Sequence, residues 1–110
     1  MIPPISPPPG RVYYLPMPRY MVVRSFEVGE SEMPVVGRRS RSLIEQEFPE
    51  ITWEQSHVVV NDDGFVKTYC IYIGPSEDVV RAHSSRLGQH TIDAIGEIAG
   101  DVTPADFPPV

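Results

Sequence analysis

Few side chains in this sequence are equipped for chemistry. His57, Cys70, His83, His90 and Glu97 carry the imidazole, thiol and carboxylate donors that nickel or zinc accepts. No two of them stand at a ligand spacing such as HxxxH or CxxC. A simpler reading makes Cys70 a buried, apolar-like side chain. It makes His83 and His57 hydrogen-bonded core histidines and leaves His90 in a surface loop. An acid–base reading instead takes His83, whose imidazole titrates in a useful range, with Arg24 as an anion clamp and Tyr72 or Tyr69 as donors. No nucleophile motif, phosphate loop or nucleotide fingerprint accompanies these residues. Arg38, Arg39 and Arg41 read as a solvated helix face, with a phosphate cluster as the sharper alternative.

Residues 65–88 are the unit that must position this chemistry. Aromatic, β-branched and Cys side chains fill 65–73, apart from Lys67, and suit a pleated, half-buried strand. Both faces of that strand are largely apolar, which predicts a central strand covered on both sides. Gly74-Pro75 ends it. Glu77 and Asp78 complement the positive end of a following helix, with Ser76 or Gly74 as N-cap. Val79, Val80, His83 and Leu87 share one face of that helix, and Gly88 stops it.

Upstream, residues 18–26 read as a first strand. Residues 34–48 read as a helix with Val36, Leu43, Ile44 and Phe48 in a stripe, ended by Pro49. Residues 51–60 form a second strand, and Asn61-Asp62-Asp63-Gly64 is a turn signal that predicts an antiparallel hairpin with 65–73. With those four residues as the loop, Val60 faces Phe65 and Gln55 faces Cys70. That register groups Trp53, Gln55 and His57 with Thr68, Cys70 and Tyr72. Ile92, Ala94, Ile95 and Ile98 suggest a last strand near 94–99, although their spacing also admits a helix. The proline-rich residues 1–17 read as a disordered leader, with a proline-recognition tail or a start at Met17 as alternatives. Residues 103–110 read as an irregular arm packed through Phe107.

The order strand, helix, strand, strand, helix, strand predicts an α+β, ferredoxin-like βαββαβ domain over residues 18–102, with a four-stranded antiparallel sheet. Both helices then cover one face. Pairing with a second copy covers the other, as in a homodimeric α+β barrel. A length of 110 residues suits one domain. A formal charge of −6 argues against nucleic acid and anionic membranes as partners. One cysteine excludes an internal disulfide and fits a reducing, cytoplasmic setting.

YMVVRSF at 20–26, ITWEQSH at 51–57, TYCIYIGPSEDVVRAH at 68–83 and IGEI at 95–98 resemble a family of small bacterial proteins. The family is one of dimeric ferredoxin-like domains and includes a nickel-responsive, nickel-binding streptomycete protein. The resemblance implies a small dimeric ligand-binding protein, with nickel or another transition metal as cofactor and His57, Cys70, His83 and Glu97 as metal ligands. It places Arg24, Gln55 and Tyr72 at a binding site. Val23 stands where the family pattern has Glu, Gln55 where it has His, and His57 where it has Tyr. A cofactor-free oxygenase or isomerase using His83, and a noncatalytic interaction module, are the alternatives.

Overall fold

The computed structural model describes residues 17–110. The leader expected over residues 1–17 lies, apart from Met17, outside the described residues. The chain runs β1 (Arg19–Gly29), α1 (Met33–Glu47), β2 (Thr52–Val60), β3 (Phe65–Ile73), α2 (Glu77–Leu87) and β4 (His90–Glu97). The strands form one antiparallel sheet in the order β2-β3-β1-β4. This is the expected ferredoxin-like order, built as an open four-stranded sheet.

Strand alternation decides which residues meet the helices. On β1, Tyr20, Val22, Arg24, Phe26 and Val28 are buried, and on β3 so are Val66, Thr68, Cys70 and Tyr72. Against them α1 presents Val36, Ser40 and Ile44, and α2 presents Val80, His83, Ser84 and Leu87. Ser76 caps α2 by accepting from the Val79 amide at 3.3 Å. The apolar core falls into two groups. One gathers Tyr20, Val22, Ile44, Cys70, Tyr72 and Val80. The other gathers Phe26, Val28, Val36, Val66 and Leu87. On β1, Arg24 stands between them.

Two expectations about the strands need correction. The hairpin turns on fewer residues than the four-residue signal suggests. The Gly64 amide donates to Asn61 O at 2.9 Å, and the Asn61 amide donates to Phe65 O at 2.8 Å. Gly64 takes φ 86°, the left-handed region where a glycine has no Cβ penalty. Val60 therefore faces Val66, and Ser56, not Gln55, faces Cys70. A bulge at Glu54 restores the expected register beyond it, so Trp53 does face Tyr72. Trp53 thus lies with Tyr72 as expected, while Gln55, opposite Ile71, and His57, opposite Tyr69, belong to the other side of the sheet. The last strand begins at His90 rather than near residue 94. The left-handed pair Gly88 (φ 71°) and Gln89 (φ 64°) turns the chain tightly enough for His90 to pair with Phe26.

Among the described residues no helix covers the second face of the sheet. There Met21, Val23, Tyr69 and Ile73 are half buried and Ile71 is buried. Ser25 donates to Asp93, and Lys67 lies 3.6 Å from the same carboxylate. The C-terminal tail is held to Arg19 by the Ile98 amide and by Asp101, 2.7 and 2.8 Å away. Its next turn closes on itself, the Thr103 amide donating to Asp106. Phe107 is consequently 61% exposed and does not pack onto its own domain as the sequence suggested.

Candidate functional site

The site begins with a side chain that a sheet interior seldom holds. Arg24 alternates inward with Val22 and Phe26 and is 1% exposed. Its Nε and Nη2 donate to Ser84 Oγ of α2 at 3.2 and 2.6 Å. Its Nη1 donates to the Tyr72 hydroxyl at 2.7 Å and, more weakly, to Cys70 Sγ at 3.7 Å. The guanidinium also lies 5.1 Å from the Tyr72 ring centroid, a cation–π distance. None of the four bonds goes to a carboxylate. Burial raises the Tyr72 phenol to about 12, partly offset by the charge of Arg24, so the phenol keeps its proton at neutral pH.

His83 completes this polar layer from α2. It is fully buried, with Nε2 3.1 Å from Ser40 Oγ of α1 and its ring edge-on to Tyr72 and Phe48. Its Nδ1 is the one buried side-chain polar atom without a hydrogen-bond partner among the described residues. Burial, then the nearby Arg24 charge, pushes its pKa down to about 4 and keeps the ring neutral.

A cleft of about 390 Å³ opens beside this layer, between α1 and strands β2 and β3. Arg24, Thr68, Cys70 and Tyr72 form its buried polar wall, with Ser40 from α1. Phe26, Met33, Val36, Val58 and Leu87 supply apolar walls. Glu54 and Gln55 also line the cleft, and Glu54 is paired with Arg19 at 2.7 Å. Trp53 lines the cleft and donates from its indole nitrogen to Ser56 Oγ at 2.9 Å. Among the described residues Arg24 is the one cation that lines the cleft.

The residues singled out from sequence separate into two sets. Arg24, Tyr72 and Cys70 are brought together in the cleft, and His83 packs directly behind Tyr72. Gln55 also lines the cleft, although it is exposed and stands opposite Ile71. His57 lies exposed on the far face of the sheet. Glu97 is exposed at the end of β4 opposite Tyr20, and adds to the burial that raises the Tyr20 pKa. Among the described residues no three His, Cys, Asp or Glu side chains are grouped to hold a metal. His90 is not in a surface loop: it is half buried at the start of β4. Its ring is 4.8 Å from that of Phe26, and its Nδ1 donates to the Gly88 carbonyl at 2.7 Å.

Ser40, Ser84 and Thr68 were not recognised as site residues from the sequence. Ser40 stands four residues from both Val36 and Ile44, and Ser84 four from Val80, so each sits on a buried stripe. A small hydroxyl at such a position is the available signal.

No helix of the described residues is long and apolar enough to cross a membrane. No curated protein and no solved structure matches the chain. A family model described as nickel responsive protein SCO4226-like matches residues 20–98, which span β1 through β4 and every residue of the buried polar wall. The chain belongs to the SCO4226-like family of nickel-responsive proteins.

Proposed function

We propose that the protein is a homodimeric small-ligand-binding protein whose ligand enters the cleft between α1 and strands β2 and β3. The observation that carries this reading is a cleft of about 390 Å³ with apolar walls and a few convergent buried polar groups. Sites for small molecules have this size and this division of labour between apolar walls and a few orienting groups. The homodimer is supported by the uncovered apolar face of the sheet, which solvent would otherwise meet.

Nickel enters this reading through the family's description. The donors of one chain fit it poorly. His57 and Glu97 lie away from Cys70 and His83, and the Cys70 sulfur accepts a hydrogen bond from a guanidinium, which repels a cation. Acid–base catalysis by His83 has no more support, because its ring is fully buried and does not line the cleft.

Trp53 is the sole tryptophan and sits in the cleft wall, so its fluorescence reports occupancy. Titration with benzoate, benzamide, octanoate and octanamide is expected to give a saturable change with at least one compound. Gly37 lines the cleft from α1, and a Cβ there meets no atom within 4 Å. Gly37→Leu should fill that space, keep the fold and abolish the response. Absence of a saturable response from all four compounds would overturn the reading.

A further inference from the structure

We infer that the ligand of this cleft is a small carboxylic acid with an apolar or aromatic body, bound as its anion beside Arg24. The inference rests on the ligand-binding reading and names the chemical class of the ligand. It starts from a missing countercharge. None of the ion pairs among the described residues includes Arg24. Residues 1–16 contain neither Asp nor Glu that could supply one. A charge buried without a partner is strongly disfavoured. An anion entering the cleft offsets that cost, whereas a neutral ligand does not.

The direction of the hydrogen bonds leads to the same class. Arginine only donates. The Tyr72 oxygen and the Cys70 sulfur must therefore accept from it, and their own protons are directed elsewhere. The Cys70 thiol donates to Thr68 Oγ1 at 3.4 Å. The Thr68 hydroxyl proton then has no acceptor among the described hydrogen bonds, while the Tyr72 hydroxyl is within reach only of the Cys70 sulfur, a weak acceptor, and both side chains line the cleft. The buried wall thus presents one free hydroxyl donor and one weakly engaged one beside a cation, a set matched to a carboxylate. Tyr72 holds its proton well above neutral pH, so it stays a donor. Among the described lining residues the one carboxylate, Glu54, is paired with Arg19, which it shares with Asp101.

The walls select the rest of the ligand. Phe26, Met33, Val36, Val58 and Leu87 offer apolar contact, suited to a hydrocarbon or aromatic body. A phosphate dianion would need a second cation and more donors than this wall holds. A monocarboxylate needs one.

Titration calorimetry on the full chain would compare benzoate with benzamide and octanoate with octanamide, pairs alike in shape and different in charge. Each acid is expected to bind at least tenfold more tightly than its amide. Arg24→Met should remove that preference, and inorganic phosphate should bind more weakly than either acid. Should Arg24→Met fail to fold, the acid-to-amide comparison in the wild type, with Gly37→Leu as the blocked control, still decides. Amides that bind as tightly as the acids, in a manner blocked by Gly37→Leu, would overturn the carboxylate inference and leave the ligand-binding reading standing. Phosphate binding as tight as benzoate would overturn it too. Failure of all four organic compounds to bind would overturn both.

Discussion

Ser40 Oγ on α1 and His83 Nε2 on α2 stand 3.1 Å apart in the buried layer between the helices, and among the described residues His83 Nδ1 has no partner. The pair sets how the fold answers acid. Burial first, and then the charge of Arg24, lowers the His83 pKa from 6.5 to about 4. The unfolded chain takes up this proton near its ordinary pKa, while the folded chain resists it. Stability from the neutral ring is therefore complete above pH 6.5 and is lost as pH falls from 6.5 towards 4. At about 1.4 kcal/mol per pKa unit the loss is on the order of 3 kcal/mol. His90, also lowered by burial, adds a contribution of the same sign. Urea unfolding at pH 4.5, 5.5, 6.5 and 7.5 should show this slope, and His83→Gln should fold and flatten it to the His90 share. An equally steep slope in the variant would remove His83 as the source.

Gly88 ends α2 at φ 71° and ψ −172°, a backbone region that side-chain-bearing residues almost never occupy. The turn it makes delivers His90 into pairing with Phe26. Gly88→Ala is expected to cost about 1–3 kcal/mol. Chemical denaturation would measure it, and a change below a few tenths would mean that the turn relaxes without strain.

Where the sequence was legible, local pattern and tertiary packing agreed. Residues 65–73 form the strand their composition predicted, and α2 starts at its Ser76 cap and stops before Gly88. The side of the sheet occupied by His57 and Gln55 was not legible, because it turns on two single-residue events. Gly64 in the left-handed region shortens the turn, and the bulge at Glu54 reverses the shift. A slip of one residue exchanges every side chain between faces, so neither event can be recovered from alternation alone. Arg24 was visible as a charge in an apolar strand. Its surroundings were not, because Ser84 and Tyr72 are 60 and 48 residues away in sequence.

The uncovered sheet face predicts self-association. Met21, Val23, Tyr69, Ile71 and Ile73 form an apolar surface that no helix of the described chain shields. Sedimentation at micromolar concentration should give twice the 12.3 kDa chain mass. Val23 lies at the centre of this face, between Tyr69 on β3 and Ala94 on β4. Val23→Lys buries two like charges when copies meet, and should yield a folded monomer. A wild-type chain that sediments as a monomer at that concentration would sink the proposal.

Cys70 and His83 are the two candidate metal ligands that share one layer, and nickel is expected to leave both untouched. The Cys70 sulfur accepts from Arg24 at 3.7 Å and donates to Thr68 at 3.4 Å, so a cation there would face a fixed positive charge. His83 has one nitrogen committed to Ser40. The metal would have to displace these bonds with two ligands at most, since His57 and Glu97 lie elsewhere in the same chain. Equimolar nickel should therefore produce no thiolate-to-metal absorption band. Native mass spectra of wild type and Cys70→Ser should show the same nickel content. A nickel ion held by the wild type and lost from Cys70→Ser would place the family's metal in this cleft, and Arg24 could not then be the partner of an anionic ligand.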